Sequence, residues 1–297
     1  MFEEFKSAFQ RHNNAHVQLI IINVVIYFAL VILYILSAIP VVDVVFNIIY
    51  DQFSIPSVAS EFFKRPWTLI TYMFAHSVKD IFHILFNMLV LYWFGRLFVE
   101  YLGSAKLVAL YVLGGLTGGL AYLLIYYIGF GSANATMVGA SGAIYAIVIG
   151  TAVLLPNYTF YLLFFGPVKI KYIAIFYVVL SLLSVRQGVN LGGNIAHLGG
   201  AFMGFIYMKQ LQAGINWGGW ITTTLQWFSE LFQPKPKVKV SYRGDQKEKA
   251  SASSSNKSTA KKVSQDEIDA ILDKISDGGY ESLTKEEREK LFKASKK

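Results

Sequence analysis

Between residues 17 and 213 the chain runs in long stretches without a charge, separated by short polar or glycine-rich breaks. A helix that crosses a bilayer needs about 20 mainly apolar residues. Six segments are candidates, at roughly 17–39, 81–101, 105–129, 140–155, 171–189 and 194–213. The fourth is short, ending at Pro156. At about 1.5 Å per residue its roughly fifteen residues reach about 23 Å into a hydrocarbon core about 30 Å thick. Its start therefore lies below the membrane surface, or the bilayer thins around it. The preceding GFGSANATMVGA, 129–140, enters as irregular backbone. Such backbone is tolerated at membrane depth only beside protein or a water-filled cavity. Ser141 sits where that cavity has to be.

Beyond residue 213 the pattern changes three times. Residues 214–232 hold Trp217, Trp220, Trp227 and Phe228 and read as an interfacial aromatic segment, not a seventh span. Residues 233–263, from PKPKVKV through a Ser/Lys stretch, read as a basic disordered linker, solvated or held near anionic lipid. From Ser264 a helical hairpin is predicted. Ser264 and Glu267 suit a capping box, and Ile268, Ile271, Leu272 and Ile275 form a stripe. Gly278-Gly279 turns, and Thr284 with Glu287 caps a second helix carrying Leu291 and Phe292. The hairpin, 264–297, buries little, so it is expected to need an unknown cytosolic partner. The expected architecture is an all-α membrane protein. Its core, 1–213, is a bundle of six transmembrane helices, with a small cytosolic helical appendage at the C-terminus.

Composition agrees. Of 297 residues, 54% are hydrophobic and 15% aromatic. A mean hydropathy of +0.45 is far too apolar for a water-soluble domain of this size. The net charge of +8 invites a nucleic-acid partner, but 16 of the 27 Lys and Arg follow Gln233, interleaved with acids, so the charge belongs to the tail and none is expected. The absence of cysteine excludes disulfides, thiolate chemistry and Cys-ligated zinc. The first apolar run is long enough to span and has no small-residue cleavage site after it, so it reads as a signal anchor. Lys6, Arg11, Lys106, Lys169 and the run from Lys235 fall on one side of the predicted spans, whereas 130–139 carries no charge. This places both termini inside. The first loop, 40–80, weakens the asymmetry, since Lys64, Arg65 and Lys79 lie there among Asp43, Asp51, Glu61 and Asp80. With that orientation the N-terminal ends of segments two, four and six share one leaflet, and they carry His83, Ser141 and His197.

Polar groups inside spanning segments are costly and point to function. A single membrane histidine can simply hydrogen-bond a neighbouring helix; three polar groups at one depth on three helices are harder to dismiss. Gly142, Ala146 and Gly150 give segment four a face of small residues, and Gly200 and Gly204 give segment six another, so the two can approach closely. His197 lies three residues before Gly200 on that face. Close approach would set it beside Ser141, a nucleophile beside a general base. Because Ser141 opens a helix, the backbone N–H groups of Ala140 and Ser141 are free to stabilise an oxyanion. His83 and Asn87, spaced i, i+4, project as side-chain donors at the same depth. Tyr145 falls on the face of Ser141 and is expected to pack on the His197 ring; its alternative is an ordinary aromatic near lipid.

Taken together, GASG (139–142) with Tyr145, HILFN (83–87) and AHLGGAFMG (196–204) resemble the rhomboid intramembrane serine proteases of the bacterial type, in the family's order and over about residues 17–213. The resemblance implies a six-helix core, Ser141 as nucleophile and His197 as base, with oxyanion contacts from His83, Asn87 and the Ser141 N–H. It implies a dyad without an acid, and segments four to six do lack Asp and Glu. It also implies transmembrane protein substrates that reach the site from the lipid between segments two and five. The protein would be multi-pass in a bacterial cytoplasmic membrane with both termini cytoplasmic. Two features depart from the family. The first loop reads Arg65-Pro66-Trp67-Thr68 where relatives often have a Trp-Arg pair, and His76 lies further from His83 than expected. His12 and His16, before the first span, read as interfacial or solvated.

Other chemistries fare worse. HExxH is absent, and neither a P-loop nor a dinucleotide fingerprint occurs, so no metal or cofactor is expected. A paired-aspartate mechanism needs two intramembrane acids, and segments one and three to six have none. GGLTGG, 114–119, reads as helix packing. Two alternatives to an enzyme remain: an inactive relative that only binds transmembrane clients, and a channel or transporter, against which the lack of an internal repeat counts.

Overall fold

The structure, a computed structural model, describes residues 13–130, 134–162, 164–232 and 265–295. Lys6, Arg11, His12, the whole linker at 233–263 and Ser264 with its cap lie outside the described residues. The chain divides into two units, Met1–Pro236 and Lys237–Lys297.

In the first unit, α1 (Ala15–Leu36) stops short of the predicted limit because Pro40 opens α2 (Pro40–Gln52) at its first position. Proline fits there because the N–H it lacks would have no helical partner. Residues 40–80, read from sequence as a loop, are largely ordered: α2, β1 (Ile55–Pro56), α3 (Ala59–Lys64), α4 (Thr68–Thr71) and a tight helical turn at Tyr72–Phe74. The departure at Arg65–Trp67 is what closes this region on α2. Arg65 Nη1 lies 3.0 Å from the Asp51 carboxylate, Trp67 Nε1 donates to Gln52 Oε1 at 3.2 Å, and Thr71 donates to the Gln52 carbonyl. Next come α5 (Ile81–Leu102), α6 (Ser104–Tyr127), β2 (Thr136–Met137), α7 (Ser141–Leu154), β3 (Thr159–Leu162), β4 (Gly166–Lys169), α8 (Ile170–Arg186), α9 (Leu191–Gln212) and α10 (Gly219–Phe232). The all-α expectation needs correcting at two places. β1 pairs antiparallel with β2, Ile55 opposite Met137, and β3 with β4 forms a hairpin between α7 and α8.

Three described helices, α1, α5 and α6, are long and apolar enough to cross a membrane. Their outward faces are greasy, as with Phe28 and Ile32 on α1 and Phe82 and Phe86 on α5, all more than half exposed. This is the pattern of an integral membrane protein, whose solvent is hydrocarbon. α7 differs: ten of its fourteen residues are buried, Gly142 to Ala152 nearly without a break. A helix wrapped by protein on all sides need not match the bilayer thickness, which is why this one can be short.

Small residues make the wrapping possible. A Cβ at Gly200 would overlap the Gly142 carbonyl, and one at Gly204 the Ala146 carbonyl, so α9 lies backbone to backbone on α7. From α6, Gly114 meets the Ala146 methyl, and Gly118 faces the Ala196 carbonyl of α9. With lipid outside there is little hydrophobic gain in helix association, so dispersion at such close contacts and interhelical hydrogen bonds hold the core. Fully buried Asn23 is one example, donating from α1 to the Tyr111 hydroxyl of α6 at 3.2 Å. His16 corrects its sequence reading. It lies in the first turn of α1, buried against Gly95 and 6.0 Å from the Tyr92 ring, and so is not solvated.

The second unit contains α11 (Gln265–Gly278), a tight turn at Tyr280–Ser282 and α12 (Lys285–Ser295). Gly279, at φ +73°, makes the reversal. Thr284 and Glu287 form a reciprocal cap: the Thr284 N–H donates to Glu287 Oε2 at 2.8 Å, and the Glu287 N–H to Thr284 Oγ1 at 3.3 Å. Ile271 and Leu283 are buried between the helices, whereas Leu272 and Phe292 stay about half exposed.

Candidate active site

Ser141 is the first residue of α7, and Ala140, with no capping side chain, precedes it. The first i to i−4 bond of the helix runs from the Ile144 N–H to the Ala140 carbonyl, so the N–H groups of residues 141–143 have no partner within the helix. The described chain just before Ser141 is tied down at two points. The Ala135 carbonyl accepts from the Ser57 N–H at 2.9 Å and the Tyr122 hydroxyl at 3.1 Å, and the Gly139 N–H donates to the Tyr72 carbonyl at 3.0 Å. The Tyr72 hydroxyl in turn donates to the Gly115 carbonyl of α6 at 2.6 Å. Each of these bonds joins segments distant in sequence, so these backbone groups find their partners within the protein.

The close seam between α7 and α9 carries His197 to the serine: Nε2 lies 2.7 Å from Ser141 Oγ. The Tyr145 ring, one turn after Ser141, stacks on the imidazole with centroids 4.3 Å apart and planes 11° apart. From α5, His83 reaches the same point. A Cβ at Gly139 would stand 3.0 Å from His83 Nε2 and 3.6 Å from Ser141 Oγ, so the imidazole fills the space beside the serine that Gly139 leaves open. Gly139 also has φ +141°, a conformation that side chains rarely adopt. Asp80 orients the start of α5 by accepting from the Phe82 and His83 N–H groups at 3.0 and 3.3 Å.

These residues surround one cavity of 530 Å³, whose lining includes His83, Asn87, Gly139, Ser141, Gly142, Tyr145 and His197. Asn87 does so with a difference: its side-chain amide donates to the His83 carbonyl at 2.9 Å, leaving its second N–H for the cavity. Gly200 and Gly204 form no wall, and their part is the close approach of α9. His76, unplaced by the sequence, is wholly buried with its ring 5.1 Å from that of His83. Burial, and then the nearby His83, pushes His76 down to about 3, so it is a neutral packing group. Among the described residues no cluster of three metal-ligating side chains occurs.

Sequence reasoning missed Ser181 of α8. It is 1% exposed, its hydroxyl donates to the Tyr145 hydroxyl at 3.0 Å, and it lies 3.4 Å from His197 Nδ1. A hydroxyl in an apolar span was a usable signal, but Ser184 gives the same one and only bonds the Leu180 carbonyl of its own helix.

Two families match the chain. The Rhomboid domain matches residues 64–212, and a family of unknown function (DUF6576) matches residues 257–297. The chain is 36% identical over 163 residues to RHOMBOID-like protein 12, mitochondrial, of Arabidopsis thaliana; the match covers 50% of this chain and 48% of that protein. The chain thus spans about half the length of the curated relative it matches. That relative is mitochondrial by name, and it lends no support to a bacterial placement.

Proposed function

Because this chain belongs to the rhomboid family, we propose that it is an intramembrane serine endopeptidase, with Ser141 as nucleophile and His197 as general base, cleaving transmembrane segments of other proteins. The observation that carries the reading is the 2.7 Å approach of Ser141 Oγ to His197 Nε2 at a helix N-terminus inside a cavity. His197 takes the hydroxyl proton as Ser141 attacks the scissile carbonyl, then gives it to the leaving amine as the acyl-enzyme forms. Water, deprotonated by the same imidazole, releases the acid. The tetrahedral oxygen lies toward the Ala140 and Ser141 N–H groups, the positive end of α7, His83 and the free N–H of Asn87. Tyr145 holds the imidazole plane, and Gly142, Gly200 and Gly204 hold α9 against α7.

A substrate helix arrives between α5 and α8. A second cavity, of 430 Å³ and largely apolar, lies there between Trp93 and Phe94 of α5 and Tyr172 and Phe176 of α8. It shares Val90 and Tyr177 with the lining of the first, so the cavities adjoin. A client must unwind locally to present its carbonyl, and helix-breaking residues lower that cost. In this reading residues 1–213 form a six-span core with both termini on the side of Lys106 and Lys169. Residues 214–232 lie at the interface, 233–263 link, and 264–297 form a separate hairpin.

The test is labelling by a fluorophosphonate and cleavage of a single-span substrate in detergent. Wild type should label and cleave. Ser141→Ala and His197→Ala should lose cleavage while staying folded, and Asn87→Ala should retain a residue of activity, reduced about a hundredfold as expected for one oxyanion donor. A folded wild type that neither labels nor cleaves would leave the client-binding or channel reading in its place.

A further inference from the structure

His197 has two ring nitrogens, and the proposed reaction uses one. If Nε2 accepts the Ser141 proton across 2.7 Å, the neutral ring carries its own proton on Nδ1. The Ser181 hydroxyl faces that proton at 3.4 Å. Its lone pairs are available, because its own proton goes elsewhere: Ser181 Oγ donates to the Tyr145 hydroxyl at 3.0 Å, and Tyr145 donates on to the Tyr177 carbonyl at 3.5 Å. The series runs in one direction, from imidazole to hydroxyl to phenol to main chain, and each donor in it has an acceptor.

We propose that Ser181 is the positioning residue of this site, a neutral hydroxyl that accepts from Nδ1–H of His197 where a three-membered serine hydrolase has a carboxylate. The inference rests on the protease reading above. When His197 takes the proton of Ser141 the ring becomes cationic, and its bond to Ser181 becomes charge-assisted. A 3.4 Å contact in the resting site is expected to shorten at that moment. A carboxylate would have to be desolvated in the middle of an apolar helix, at a cost that a hydroxyl avoids. The chain through Tyr145 to a carbonyl dipole polarises that hydroxyl and supplies part of the missing charge. It also couples two restraints, since the phenol that receives the Ser181 proton belongs to the ring stacked on His197.

The experiment uses the full chain in detergent, with fluorophosphonate labelling of Ser141, turnover of a single-span substrate and nitrogen-15 spectra of the histidines. Ser181→Ala should lower the limiting labelling rate and kcat about ten- to a hundredfold, as expected for loss of a bond to a charged group, with KM unchanged. Ser181→Thr, which keeps the hydroxyl, should restore most of the rate, and Ser184→Ala should match wild type. The Nδ1–H resonance of His197 should lose its hydrogen-bonded shift in Ser181→Ala and keep it in Ser181→Thr. Wild-type rates in Ser181→Ala overturn this inference alone. A slow Ser181→Ala variant whose Nδ1–H resonance has not moved also overturns it, because the hydroxyl would then support packing only. A wild type that does not label overturns the protease reading and this inference together.

Discussion

One methyl group added at Gly139 would meet His83 Nε2 at 3.0 Å and lie 3.6 Å from Ser141 Oγ, on a backbone that disfavours side chains. Strain of that kind is worth about 1–3 kcal/mol, and here it would fall on the serine and on one of its proposed oxyanion donors. Gly139→Ala is therefore expected to slow phosphonate labelling at least tenfold and to lower the thermal midpoint; labelling at the wild-type rate would show that the neighbouring backbone yields freely. At this scale the sequence offers residue types and not orientations. It singled out Ser141, His197, His83, Asn87 and Tyr145, because hydroxyls, imidazoles and amides are conspicuous inside apolar spans. It could not show that one N–H of Asn87 is spent on the His83 carbonyl, or that His16 is buried. Nor could it distinguish Ser181 from Ser184, because that depends on which neighbour each hydroxyl meets.

At the scale of elements, the α7–α9 seam decides whether the site exists. Gly204 abuts the Ala146 backbone, which cannot rotate away as a side chain can. Gly204→Leu should destabilise the core by about 3 kcal/mol or more, at or above the usual cost of overpacking, whereas Phe202→Leu, 63% exposed on the same helix, should stay within about 0.5 kcal/mol. Unfolding in mixed detergent micelles measures both, and equal losses would count against the seam as the critical contact. The helix positions were legible because apolar length and four-residue spacing of small residues are local signals. The two short ladders and the ordered first loop were not, because β1 pairs with a strand some eighty positions away and Arg65 with an acid on another helix.

At the scale of the molecule, the two units rely on different forces. The first buries close helix contacts, and the second has a narrow apolar stripe fringed with ions, including Lys274–Glu287 and Lys290–Glu267, both at 3.0 Å. The Thr284 backbone N–H, then the Lys274 ammonium and the Thr284 hydroxyl, hold Glu287 down to about 2, from an ordinary 4.5. Because the folded value is the lower one, the contribution is fully present above about pH 4.5 and is lost as pH falls through about 2. A carbon-13 titration of the Glu287 carboxyl should thus have its midpoint well below the ordinary range, and added salt should raise it, since the group is exposed. A midpoint in the ordinary carboxylate range would contradict the cap. The long apolar helices, the shortness of α7, the small-residue faces and the residue types at the candidate site were determined by the sequence alone, because hydrophobic length and periodicity are written residue by residue along the chain. Only the tertiary structure decided that imidazole and serine stand 2.7 Å apart, that Tyr145 stacks on the ring, and that a hydroxyl from α8 faces Nδ1. Those distances are set where helices distant in sequence come into contact, and no local pattern encodes them.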